Sequence, residues 1–121
     1  MNNNQEFLLT KDYSNSSDAL NKVLAEIGEI PLLTEERETV ILSQVSQGDE
    51  AARKELFDSY LRLVVSVAKR YVGKKDFLEL IEIGKSGLNK AIEKYENTKE
   101  YNFSTYATWW IQKAIESEDA N

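Results

Sequence analysis

Leu61-Arg62-Leu63-Val64-Val65-Ser66-Val67-Ala68-Lys69-Arg70-Tyr71 decides how the rest of the chain is read. Together with the residues before it, Ala52, Leu56, Tyr60, Leu63, Val64, Val67, Ala68 and Tyr71 recur at the three- and four-residue intervals of one helix face. Asp49 can cap this helix and Gly73 can end it, so the spacing predicts one long helix between them.

The same periodicity extends in both directions. Toward the N-terminus, Thr34 can cap a helix with Glu35 and Glu36 in its first turn, running past Ile41 and Val45 to a stop at Gly48. Before it, a helix beginning near a Ser17 cap carries Leu20, Val23, Leu24 and Ile27, with Gly28 at the left-handed stop position. Pro31 holds Ile30 out of helical geometry and makes Glu29-Ile30-Pro31 a connector. Residues 1–15, polar and rich in Asn and Ser, read as a flexible tail.

Toward the C-terminus, Phe77, Leu80, Ile81, Gly84, Leu88, Ala91 and Ile92 mark a fourth helix. Gly84 and Gly87 inside it each cost about 1 kcal/mol against alanine, which close packing on a neighbouring helix would justify. Residues 96–102 form a polar loop. Ser104 or Thr105 can then cap a fifth helix from Tyr106 to about Ile115, with nothing structured beyond it. No strand alternation or internal repeat interrupts this pattern. The prediction is an all-α, compact bundle of about five helices in one domain.

Composition narrows the chemistry. Among 121 residues there is no cysteine and no histidine, which removes disulfides, thiolate metal sites, zincin motifs and His-based triads. No carboxylate pair or nucleophile–base set stands out, so the chain reads as a non-enzyme without cofactor or metal. The start lacks the regions of a signal peptide, and no apolar run approaches the ~20 residues that span a bilayer. A soluble, cytoplasmic protein with no membrane partner is the expectation.

The net charge of −6 is unevenly spread. Residues 1–58 carry 5 basic and 12 acidic side chains, whereas residues 59–115 carry 10 basic and 6 acidic ones. Arg62, Lys69, Arg70, Lys74 and Lys75 follow one another with no acid between Leu61 and Lys75. Such a patch can attract phosphate even on an acidic protein, although a solvated helix face is the simpler reading.

Five of the twelve aromatic residues fall between Tyr101 and Trp110. Ala107, Ile111, Ala114 and Ile115 can supply the buried face of the fifth helix, which leaves Tyr106, Trp109 and Lys113 on another face, with Trp110 beside them. Rings beside a cation suit single-stranded nucleic acid: unpaired bases stack on the rings, at about 1–3 kcal/mol each, and the cation meets a phosphate. An aromatic mini-core explains the same spacing equally well.

These residues are also similar to a known family. The run from Leu61 to Tyr71, followed by Phe103-Ser104-Thr105-Tyr106-Ala107-Thr108-Trp109-Trp110-Ile111, resembles region 2 of the bacterial primary (sigma-70) sigma factors. Asp18 to Gly48, with Ile27-Gly28, Pro31-Leu32-Leu33-Thr34 and Gln47-Gly48, resembles region 1.2 of that family. The resemblance implies a region 1.2-like segment at 16–48, a region 2-like helical domain at 49–115 and an acidic tail at 116–121. It implies a transcription initiation module that binds RNA polymerase core and recognises and melts the promoter minus-ten element through the non-template strand. One adenine of that strand would leave the stack for a pocket built around Tyr101, Tyr106 and Trp109, with Tyr95 and Lys99 at its wall. Trp109 and Trp110 would stand at the upstream edge of the bubble, and Phe103 and Thr105 would support the surface.

Two regions depart from the family pattern. The polymerase-binding helix usually reads like Asp-Leu-Ile-Gln-Glu-Gly-Asn-Ile-Gly-Leu, whereas this chain has Glu79-Leu80-Ile81-Glu82-Ile83-Gly84-Lys85-Ser86-Gly87-Leu88. Ile83 replaces an acid, Lys85 an amide, and Asn89 a frequent methionine. The contact of Glu79, Glu82, Ile83, Lys85 and Asn89 with the polymerase clamp helices is therefore expected to be weakened or altered. Lys113 and Glu116 stand where the family commonly has Gln and Thr to read the upstream base pair, and Glu100 replaces a usual glycine. These departures suit an alternative, a regulatory or degenerate sigma-like protein that binds a protein partner, such as polymerase or an anti-sigma factor, without initiating transcription.

Overall fold

The computed structural model of the protein describes residues 14–73, 75–96 and 101–120. The expected flexible tail, except its last two residues, lies outside the described residues, as do Lys74, Lys99 and Glu100. The elements are α1 (Ser14–Gly28), α2 (Glu35–Ser46), α3 (Glu50–Ser59), α4 (Leu61–Ala68), a 3-10 turn (Lys69–Tyr71), α5 (Phe77–Lys94) and α6 (Phe103–Ala120). The described residues hold no strand, only an isolated bridge between Val72 and Lys75. The all-α class follows from the spacing, and no described helix is long and apolar enough to cross a membrane.

Several boundaries fall where the local chemistry puts them. Thr34 Oγ1 accepts from the Arg37 amide, and Asp49 accepts from the Ala52 amide, so both expected caps form. Gly48 and Gly73 take φ of 90° and 114°, the left-handed region in which a side chain would be strained.

Five details differ from the expectation. The helix expected from Asp49 to Gly73 breaks at Tyr60, whose φ and ψ of −99° and 6° place it between α3 and α4. The reason is a slip in the buried register. Leu56 is buried and so is Leu61, five residues on and about 140° away around a continuous helix. Breaking the helix brings both inward. It also lets the Tyr60 ring meet Phe103 edge-on at 4.9 Å while its hydroxyl donates to Glu38 at 2.9 Å.

Gly28 takes no left-handed conformation; it is the last residue of α1. Arg62 ends that helix instead, donating from one guanidinium nitrogen to the Gly28 and Ile30 carbonyls, each at 2.8 Å. The first helix starts at Ser14 rather than at a Ser17 cap. The last helix starts at Phe103, because Asn102 is its cap: Asn102 Oδ1 accepts from the Thr105 amide at 2.9 Å and from the Ser104 hydroxyl at 3.0 Å. It runs to Ala120, past the expected end at Ile115.

The core is continuous across the bundle. Ile27 of α1 and Ile41 of α2 join Leu56, Val64, Val67, Leu80, Ile81 and Leu88 in one apolar cluster with α6. From α6 come Phe103, Ala107, Ile111 and Ile115, each four residues apart and at most 1% exposed. The tightest seam runs between α5 and α6. A Cβ on Gly87 would lie 2.6 Å from the Trp110 carbonyl oxygen and 2.8 Å from Ile111 Cα; one on Gly84 would lie 2.8 Å from a Val64 methyl. The two mid-helix glycines are therefore there for close packing. Gly87 lets α6 close on α5, and Gly84 makes room for Val64 of α4 and Ile111 of α6.

Candidate nucleic-acid interface

Because the row from Phe103 to Ile115 faces the core, the opposite side of α6 faces outward. Trp109 is 51% exposed and Tyr101, in the loop before α6, is 45% exposed. Thr105 and Lys113 are exposed too, while Tyr106 and Trp110 are half-buried. An aromatic mini-core does not describe this arrangement. It is a ledge of rings, buried at its base and open at its edge.

The rings are held in a connected series. Phe103 forms the foot, 1% exposed, and meets Tyr95 edge-on at 5.2 Å. Burial removes Phe103 from any direct contact with a ligand and leaves it as a support. Tyr95 follows the end of α5 and tilts against Tyr106 at 5.4 Å. Tyr101 lies parallel to Tyr106, with centroids 5.4 Å apart and planes 11° apart. Tyr106 then meets Trp110 at 6.3 Å, and Trp110 meets Trp109 at 5.1 Å, both edge-on. Such pairs contribute about 0.5–1.5 kcal/mol each beyond their burial.

Hydrogen bonds lock the rings to the backbone. Tyr95 donates to the Tyr101 carbonyl at 3.2 Å, and Tyr106 donates to the Lys94 carbonyl at 3.3 Å. Burial raises the Tyr95 phenol above its ordinary pKa, with the nearby Glu38 carboxylate adding to the effect. Burial raises Tyr60 further, and Glu38 again opposes its ionisation. Both phenols are therefore neutral donors at physiological pH. The Trp110 indole nitrogen is buried without an acceptor among the described residues.

Lys113 lies one turn beyond Trp109. Its ammonium sits 4.8 Å from the centre of the Trp109 ring and 5.7 Å from that of Trp110. A cleft of about 600 Å³ opens beside Tyr101, between that ring, Tyr95, Asn102, Leu33 in the connector before α2, and the α2 residues Glu38 and Leu42. Tyr106, Trp109 and Lys113 do not line it. The expected ring set thus divides, with Tyr101 as the wall between a ring ledge and a cleft. The α2 side of the cleft and the Asn102 cap escaped the sequence reading. Asn102, three residues before Thr105 at the head of an apolar row, was a legible cap signal.

The charge patch divides as well. Arg62 is committed to the α1 carbonyls, so it serves the fold. Lys69 and Arg70 remain exposed on the 3-10 turn. Next to them Tyr71 donates to Glu116 at 2.7 Å and ties this turn to α6.

On α5, Glu79, Glu82 and Asn89 are exposed. Ile83 is half-buried and packs against the core. Lys85 is half-sheltered and forms an ion pair with Glu82 at 3.2 Å. Asn89 lies 3.4 Å from a guanidinium nitrogen of Arg53. Four of the five expected docking groups, Glu82, Ile83, Lys85 and Asn89, thus have partners in their own molecule.

Comparison with known proteins identifies the family. The family model for sigma-70 region 2 matches residues 56–118. The chain is 45% identical over 120 residues to the RNA polymerase sigma factor SigA of a Bacillus species, covering 94% of this chain and 32% of that protein. It is 52% identical over 99 residues to SigA of Clostridium acetobutylicum, covering 81% of this chain and 26% of that protein. The chain thus spans about a third or less of the length of these relatives. With the family model covering more than half of the chain, from the end of α3 through most of α6, the chain belongs to the sigma-70 region 2 family.

Proposed function

We propose that this chain is a transcription initiation module of the sigma type, which engages RNA polymerase core and holds the melted non-template strand of the promoter minus-ten element. The observation that carries this reading is the ring ledge. Tyr101 and Trp109 offer exposed faces, Tyr106 and Trp110 brace them, and Lys113 supplies a cation on the same side. Unpaired bases have π faces that stack on such rings, whereas a closed duplex hides them. Relatives named as sigma factors of RNA polymerase support the same reading. Thr105, at the edge of the ledge, and Lys99, outside the described residues, complete the proposed DNA-facing set.

A titration of tryptophan fluorescence tests the proposal. A single-stranded oligonucleotide carrying TATAAT should bind more tightly than a scrambled one of the same length and composition. Equal affinities would remove sequence-directed recognition from this chain.

The outer face of α5 favours a second reading, a regulatory sigma-like protein with altered polymerase docking. The Lys85–Glu82 pair neutralises one acid of that face, and Ile83 offers no charge. Weak capture of a polymerase clamp-helix fragment would support this second reading; capture at the strength of an ordinary sigma factor would dismiss it.

A further inference from the structure

The ledge is not empty in the free protein, because Lys113 occupies part of it. Trp109 and Lys113 are four residues apart on α6 and therefore share a face. The ammonium stands 4.8 Å from the Trp109 centroid, where a stacking base would meet the indole. Among the described residues Lys113 has no carboxylate partner. The acid one turn further along, Glu116, accepts from the Tyr71 hydroxyl at 2.7 Å. Among the described residues nothing else anchors the ammonium on the rings, so a stronger site can draw it away.

We propose that Lys113 is an exchangeable occupant of the indole surface: its ammonium covers Trp109 and Trp110 in the free protein, and moves to a backbone phosphate when a nucleotide base takes its place. This inference rests on the proposed binding of single-stranded DNA and concerns how the same surface discriminates. A cation on an exposed ring is held weakly, and a phosphate offers it a full opposite charge. A base that arrives with its phosphate provides both halves of the exchange. A free base displaces the ammonium with nothing to receive it, and an abasic sugar-phosphate draws the ammonium away and leaves the indole bare. Lys113 therefore couples base stacking to phosphate contact, so that the ledge responds to a nucleotide more than to the sum of its parts.

The exchange has a signature in salt. Each phosphate contact to a single strand contributes about 0.7 to the slope of log affinity against log salt. The unaltered protein and Lys113→Gln are titrated with a single-stranded TATAAT oligonucleotide at 50, 100 and 200 mM salt. The variant is expected to show a slope smaller by about 0.7, so that its affinity falls roughly 2.6-fold less across that fourfold range. In the free protein the lysine side-chain protons should show the upfield ring-current shift of a group lying over indoles, and should lose it on addition of the oligonucleotide.

Parallel salt slopes for the two proteins would overturn the inference while leaving DNA binding intact. Lysine protons that keep their upfield shift in the complex would overturn it too. Failure of the unaltered protein to bind any oligonucleotide would remove the proposed function, and the exchange with it. The fold is not at stake in Lys113→Gln, since the side chain is exposed.

Discussion

The ring ledge of α6 and the outer face of α5 lie on neighbouring helices that share one seam, yet they are built differently. The ledge is fixed by tertiary structure: Phe103 in the core, Tyr95 from the preceding element, and phenol bonds to the Lys94 and Tyr101 carbonyls. The α5 face carries mostly short-range exposed pairs, Lys85 with Glu82 and Lys90 with Glu93, three residues apart, beside one long bond from Arg53 to Asn89. A surface of the first kind changes little without damage to the fold. A surface of the second kind can change its charges freely, because exposed pairs contribute about 0.2–1 kcal/mol each. The ledge is therefore the more constrained of the two surfaces, and the α5 face the freer.

The comparison breaks most completely at the shared seam. Ile111 lies under both surfaces, fully buried, with its Cα 2.8 Å from where a Cβ on Gly87 would stand. Ile111→Ala should cost about 2–5 kcal/mol and weaken oligonucleotide binding and clamp binding together. Thermal unfolding followed by circular dichroism, with both binding assays on the same sample, checks this.

A change confined to the ledge should separate the two surfaces. Trp109→Ala removes an exposed ring and should cost about 1–3 kcal/mol of oligonucleotide binding, roughly five- to 150-fold. Unfolding temperature and clamp binding should stay close to those of the unaltered protein.

Alkaline pH sharpens the contrast more gently. Tyr60 and Tyr95 have phenols raised above the ordinary value near 10 by burial and by Glu38. A group whose pKa is higher when folded contributes its stability in full below the unfolded pKa and loses it as pH rises toward the folded one. Stability should therefore hold to about pH 10 and then decline. Tyr60→Phe keeps the ring against Phe103, and unfolding followed from pH 8 to 11 should show a shallower decline for this variant.

The smallest effect on the fold is expected on α5. Lys85→Asn removes one exposed ion pair and should alter stability by no more than about 0.5 kcal/mol. Combined with Ile83→Glu it should raise capture of a clamp-helix fragment and leave oligonucleotide affinity unchanged.

The legible parts of this molecule were those with local causes. Thr34, Asp49, Gly48 and Gly73 set helix ends through side chains or backbone freedom within a few residues, and the glycines of α5 announced a close approach. The break at Tyr60 has no glycine or proline to mark it, because it follows from burying both Leu56 and Leu61. The end of α1 depends on Arg62, more than thirty residues away. In the site, the residue types were readable, and so was the division between inward and outward faces of α6. That Tyr101 lies flat on Tyr106, and Lys113 over Trp109, depends on how a loop and a flexible side chain settle on the finished bundle.

The most direct test of the account follows side-chain resonances of the whole chain as single-stranded TATAAT oligonucleotide is added. The account predicts large shifts at Tyr101, Tyr106, Trp109 and Lys113, with the buried row of Ile111 and Ile115 unmoved. Shifts confined to the exposed residues of α5, or none at the four ledge residues at saturating oligonucleotide, would contradict it.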